Sequence, residues 1–429
     1  MTKDEPRLFI SALCLFCFLL VGCTVTTGDS PLAPQLSPAP ATTYTSTPSA
    51  TPNPTATPAA LSQRIQRGVF AASETYAIPI PLVGYDLYFL GEPHGMQELH
   101  DFALDYLARL QRFSGLRDLI LEEDQVFQRA AQAYVDGESP DIPPGACLSG
   151  DLLYGVRQLN DGLPQDERVR VHFVDLDSTI HNVHLHMQIL QQALGTRAAG
   201  IQIPILQEFE TWTYEEQLAV AQELAAVGDE GPLMREIETV RASLLWLANG
   251  NGIPLEDPLG IELPVTLVPG SQWVREETIA RNILALVEKK RAHPALVSYG
   301  AWHTQKYPAL PFFNEVSPFD NYPLVQRLGD AGIPLYTLAL YANQGTSAGR
   351  GKIVNVTPWI DPSQIHLGDM RLSWLLQEAA PNNHLFVDFR IEPNASAILG
   401  ARFGLVRAGR VFDGLLLFRE VHAMQDFCP

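Results

Sequence analysis

Short apolar runs that stop at glycine or acid alternate with stretches of helical periodicity along most of this chain, and that alternation leaves few architectures open. Tyr85 to Leu90 is a mostly apolar run ending at Gly91, of the length and composition of a buried strand. From Gln97 to Arg112 apolar residues recur at Leu99, Ala103, Tyr106, Leu107 and Leu110, the spacing of one helix face. The strand-like Leu119-Ile120-Leu121 then runs into Glu122-Glu123-Asp124. The cycle repeats with a strand over Val169 to Val174, a helix over Ile180 to Leu194, and a helix over Glu277 to Lys290. Strands over Ala295 to Tyr299 and Pro334 to Leu340 complete it. Strands separated by helices need crossover connections, which give parallel pairing. The fold class expected is therefore α/β, a mostly parallel sheet flanked by helices. An inserted helical segment over about 205–250, long and acidic, breaks the rhythm and is expected to lie over the site.

The N-terminal residues read differently. Lys3 and Arg7 precede an apolar run from Leu8 to Val21, followed by Gly22 and Cys23. The run is too short for a stable bilayer-spanning helix, and a basic start with a short apolar middle makes a secretory signal over 1–22. Leu20-Val21-Gly22-Cys23 resembles a lipobox, in which lipidated Cys23 becomes the first residue of the mature chain. The alternative is an ordinary secreted protein in which Cys23 is incidental. The cysteine's position at the very end of the run favours the anchor. Residues 23–60 are nearly all Thr, Ser, Pro and Ala, with Asp29 the only charge. Such a segment cannot form a core and is expected to be a disordered tether, reaching roughly 100 Å at about 3.1 Å per residue. The expected location is the extracytoplasmic face of the cell membrane, reached through the lipid anchor.

Residues 61–429 have ordinary apolar content and are enough for one large α/β domain. A formal charge of -19 excludes a nucleic-acid partner as an expectation, because phosphate binding needs clustered Lys and Arg. Of five cysteines, Cys14 and Cys17 leave with the signal and Cys23 carries lipid. Cys147 and Cys428 are left, either oxidised together, tying the tail to an early loop, or both free.

The chemistry lies where the strands stop. Gly91-Glu92-Pro93-His94-Gly95 follows the first strand, Glu122-Glu123-Asp124 the second, and Gly300-Ala301-Trp302-His303-Thr304 the strand from Ala295. The carboxyl ends of parallel strands share one edge, so three distant segments would deliver His94, His303 and a carboxylate to one crevice. A neutral imidazole there can take a proton from water, with Glu92 or Glu122 fixing its tautomer. Alternatively, His94, Glu122 and His303 form a three-ligand metal site with an open position for water. There is no Gly-x-Ser-x-Gly elbow, His-Glu-x-x-His helix, Gly-rich phosphate loop or Cys-x-x-Cys pair.

Two Gly-x-x-His motifs, Gly91 to His94 and Gly300 to His303, with an acid ending the strand between them, resemble the erythromycin esterase-like superfamily. That superfamily also takes in the ChaN-type haem-binding lipoproteins and the TraB and Tiki proteins. Asp118-Leu119-Ile120-Leu121-Glu122 fits its strand-then-glutamate pattern. Tyr134-Val135-Asp136-Gly137, Val174-Asp175-Leu176-Asp177, Arg275 with Asn282, and Val411 to Leu416 are further, weaker matches. Glu92-Pro93-His94-Gly95 is one residue shorter than the esterase arrangement and matches the ChaN-like spacing. The resemblance implies histidine-assisted water attack on an ester or amide of a small molecule or peptide, metal-assisted or metal-free. Haem or metal binding is the competing expectation, and a surface scaffold with a decayed site a third. His181 and His184, three residues apart on one helix face, with His186, are the further candidates for ligand capture.

Overall fold

Val, Leu, Ile and aromatic residues fill the central strands because those strands are covered on both faces. The computed structural model describes residues 68–424, leaving out 144, 147–148, 229–230, 250–271, 290–293, 308–322, 350–351, 357–364, 368–369, 372–383, 392–395 and 399–404. The expected signal, Cys23, the tether, Cys147 and Cys428 lie outside the described residues.

The main sheet comprises β1 (Val69–Ala72), β2 (Leu87–Glu92), β3 (Asp118–Asp124), β4 (Arg170–Asp175), β5 (Ala295–Gly300), β6 (Leu335–Ala342), β7 (His384–Asp388) and β8 (Gly414–Phe418). Their spatial order is β1-β7-β8-β6-β2-β5-β3-β4. From β8 to β4 every pairing is parallel. The edge strands β1 and β7 pair antiparallel. The α/β class expected from the alternation is thus the class observed, with an antiparallel edge that the alternation does not foretell.

Side chains alternate between two cores because successive strand residues point to opposite faces. Tyr88, Leu90, Leu119 and Leu121 pack with α1 (Gln97–Ser114), α2 (Gln128–Val135) and α3 (Gly150–Asp161). The helices α4 (Ile180–Leu194), α5 (Tyr214–Val227) and α6 (Pro232–Asn249) follow β4. Leu87, Phe89 and Ile120 face the other way, onto α7 (Gln272–Lys289) and α8 (Leu324–Asp330). The α4–α6 stretch has its own small core of Val183, Met187, Leu190, Leu224, Ile237 and Val240. Thr213 starts α5 with a capping box: its hydroxyl accepts from Glu216 N–H, and the Glu216 carboxylate accepts from Thr213 N–H.

Two connections position the site. From β2 the chain runs through α1 to β3, on the far side of β5, whereas from β5 it runs through α8 to β6, on the far side of β2. Loops leaving the carboxyl ends of neighbouring β2 and β5 therefore diverge. A crevice opens at this carboxyl edge, the place where open α/β sheets bind ligands.

Candidate active site

Parity decides where the strand-end carboxylates go. Glu92 continues the Tyr88-Leu90 side of β2 and turns toward α1, where its Oε1 lies 3.7 Å from His100 Nε2. Asp151, at the start of α3, stands 3.9 Å from the other nitrogen of His100. Glu122 continues the Ile120 side of β3 and turns toward α7. There Arg275 Nη2 donates to Glu122 Oε1 at 2.6 Å. The same guanidinium donates to Asp175 at 2.6 and 2.9 Å, tying the ends of β3 and β4 together.

Glycines let the loops close on these groups. A Cβ at Gly91 would stand 2.1 Å from Thr304 Oγ1, so only glycine lets the loop after β5 lie against the end of β2. Gly95 has φ of +82°, and a Cβ there would meet the Ala348 carbonyl at 1.9 Å. Its own carbonyl accepts from Ala348 and Met424 N–H groups, which pins the loop carrying His94. A Cβ at Gly300 would project into the site itself, 3.2 Å from Glu122 Oε2 and 3.3 Å from His94 Nε2. Gly300 instead offers its N–H to Glu122 Oε2 at 2.6 Å.

His94, Glu122 and His303 thus come together at the carboxyl edge. His94 Nδ1 faces Glu92 Oε1 at 3.8 Å, and Nε2 faces Glu122 Oε2 at 3.6 Å. Its side chain is 43% exposed. Desolvation lowers its pKa, but Glu92 and Glu122 outweigh it and raise it from 6.5 to about 9. His303 is buried. Its Nδ1–H donates to Glu276, and its Nε2 lies 3.4 Å from Glu122 Oε1 and 3.4 Å from Arg275 Nη1. Glu276 in turn accepts from Leu324 N–H at 2.6 Å. Burial would discharge His303, yet Glu276 and then Glu122 lift its pKa to about 9.

Both glutamates are held as anions. Burial disfavours the charge on Glu122, but His303 and Arg275 overcome it and hold the carboxyl well below the usual range. Burial likewise opposes ionisation of Glu92, and His100 with His94 lowers it to about 2. Glu123 behaves oppositely: burial, with Asp124 and Glu122 adding to it against a hydrogen bond from Ser149, pushes it up to about 8.

These groups surround a cavity of about 380 Å³, lined among others by Glu92, His94, Glu122, Glu123, Arg275 and Trp246. Trp246 comes from α6, so the stretch after β4 supplies part of the wall. His303 is not in the lining; it stands behind Glu122 and Arg275. Among the described residues no group of three or more His, Cys, Asp or Glu is arranged to hold a metal ion. The donor set does not fit one, since the Arg275 guanidinium already lies against Glu122 Oε1 and His303 Nε2. His181, His184 and His186 do not converge either. His184 Nε2 bonds the Pro204 carbonyl, buried His186 bonds Asp177 at 2.7 Å, and His181 is exposed.

Several participants escape sequence reasoning. Arg275 and Asp175 enter it only through the family resemblance, Glu123 only as part of an acidic string, and Glu276, His100 and Asp151 not at all. Two signals point to them in retrospect. Arg275-Glu276 is a charged pair within the helix that feeds β5, and His100 stands beside the apolar face made by Leu99, Phe102 and Ala103.

Fold and cluster define a three-layer α/β protein with a carboxylate–imidazole–guanidinium site at the carboxyl edge of a mainly parallel sheet. No protein-family model and no curated protein matches the chain in sequence. Among solved structures, a Bacillus cereus protein is similar with a TM-score of 0.59 at 15% identity, over 85% of this chain and 98% of the other. A succinoglycan biosynthesis protein gives 0.59 at 13% identity, over 84% and 96%. A histidine-to-asparagine mutant of the erythromycin esterase EreC in its open conformation gives 0.55 at 15% identity, over 80% and 93%. The resemblance to erythromycin esterase-like proteins expected from the motifs therefore extends to the architecture; at such identities what is shared is the fold.

Proposed function

We propose that this chain is a hydrolase in which His94 activates water for attack on an ester or amide bond, without a metal ion. One observation carries the reading: His94 is the histidine of the cluster that both lines the cavity and has a carboxylate facing each ring nitrogen. As a neutral imidazole it accepts a proton from water, and Glu92 and Glu122 stabilise the imidazolium formed. Arg275, the arginine in the lining, offers positive charge to the oxyanion of the tetrahedral intermediate. His303, backed by Glu276, acts from behind and holds Glu122 in place.

A base must be neutral to work. With the His94 pKa raised to about 9, kcat/KM climbs with pH and levels off near that value. His94→Ala lowers turnover of a small ester at least about 100-fold, because positioned base catalysis contributes roughly 10²–10⁴. Its circular dichroism and thermal unfolding stay close to the parent's, since the side chain is half exposed. Turnover within threefold of the parent would remove the base from this mechanism.

The same proposal retains the lipobox reading, which puts this site outside the cytoplasmic membrane on a tether anchored through Cys23. No helix among the described residues is long and apolar enough to cross a membrane.

A further inference from the structure

We infer that His100 is a positioning residue of this site: standing between Asp151 and Glu92, it holds the Glu92 carboxylate against His94. The inference rests on the hydrolase reading above and adds a residue to its machinery. From the cavity inward, imidazoles and carboxylates alternate in one line. His94 Nδ1 faces Glu92 Oε1 at 3.8 Å, the same oxygen faces His100 Nε2 at 3.7 Å, and His100 Nδ1 faces Asp151 Oδ2 at 3.9 Å. His94 is half exposed, whereas Glu92, His100 and Asp151 are all buried. His100 is not in the cavity lining, so it acts on the reacting atoms only through Glu92.

A core histidine with a purely structural task is fixed by close hydrogen bonds, as His184 is by the Pro204 carbonyl at 2.7 Å. His100 is not. Its distances to both carboxylates exceed hydrogen-bond length, and His100 Nδ1, Asp151 Oδ2 and Glu92 Oε2 are buried without a hydrogen-bond partner. Buried polar atoms in that state cost stability, and active sites are among the places where folds retain them. Catalytic hydrogen bonds are often long in the free enzyme and tighten as charge develops in the transition state. When His94 takes a proton from water, its Nδ1–H needs a carboxylate oxygen opposite it. Protonated at Nε2, His100 donates to that same oxygen from the other side and keeps Glu92 from turning away, while Asp151 fixes the ring that donates.

The experiment follows a small ester on the full chain and on three variants, with histidine NMR titrations of the same proteins without substrate. His100→Leu fills the space and removes the donor, His100→Gln places an amide N–H where Nε2–H stood, and His100→Asn places one only on the Asp151 side. Removing an outer partner that orients a working side chain costs roughly 10–100-fold in activity. The expected result is a kcat about tenfold or more below the parent's for His100→Leu and His100→Asn, with KM within about twofold, because the contact tightens only in the transition state. His100→Gln keeps kcat within about threefold of the parent. The His94 midpoint falls in His100→Leu and His100→Asn, where Glu92 is no longer held against it, and stays near the parental value in His100→Gln. Glu122 and His303, the other charged neighbours of His94, are untouched by these substitutions. His100→Asn carries the test if His100→Leu fails to fold. An equal loss of kcat in all three variants, or a His94 midpoint that does not fall, overturns the inference and leaves the hydrolase standing. A parent that hydrolyses no ester, with a His94 midpoint that still falls, overturns the hydrolase reading and keeps His100 as the residue that holds Glu92.

Discussion

Glu276→Gln tests whether His303 is held as a cation, and the size of the effect follows from its surroundings. The imidazole is buried, with Nδ1–H donated to Glu276 and Nε2 beside Glu122. Its pKa rises from 6.5 to about 9 despite burial. At about 1.4 kcal/mol per pH unit, that difference corresponds to about 3 kcal/mol of folding stability. Because the folded value is raised, the stabilisation is complete below about pH 6.5 and is lost as the pH rises through about 9. Glutamine keeps the shape, and its oxygen can still accept from Leu324 N–H. Its NH2 then confronts His303 Nδ1, which is tolerated only if that nitrogen is an unprotonated acceptor, so the variant's histidine is neutral at pH 7. Urea unfolding near pH 6.5 should show a deficit of about 2–3 kcal/mol against the parent, shrinking to under about 1 kcal/mol near pH 10, where the parent too has lost the ion pair. Histidine NMR titration reads the accompanying drop in pKa. An equal deficit at both pH values would refute the argument, because a defect of packing or shape does not titrate.

Gly300→Ala leaves backbone conformation unstrained but puts a methyl group within 3.3 Å of Glu122 and His94, so turnover falls about tenfold or more while thermal unfolding shifts little. A variant of parental activity would show that the space in front of Gly300 is not used. Cys23→Ser releases the protein from the membrane fraction or stalls its processing; unchanged fractionation and processing would end the lipoprotein proposal. If Cys147 and Cys428 are paired, labelling of the denatured, unreduced protein finds neither thiol, whereas two reactive thiols exclude the bridge.

What could be read directly from the residues is what depends on neighbours in the chain. Strand runs, helix faces and the glycines before the two histidines are local patterns, and they sufficed for the α/β class and for His94, Glu122 and His303 as groups at one sheet edge. The antiparallel edge was not legible, because β7 is five residues long and owes its place to pairing with β1 and β8. Nor were the roles within the cluster. Arg275 and Glu122 stand 153 residues apart, and nothing near either announces the other. Only the folded sheet, with α7 on one face and α1 on the other, decided that His303 is backed by Glu276 and withdrawn from the cavity while His94 reaches it. The same packing decided that a guanidinium occupies the space where the residue types alone allowed a metal. Burial and charge are properties of a three-dimensional neighbourhood, so they set which imidazole reaches the cavity and which carboxylates are held as anions only once distant segments have met.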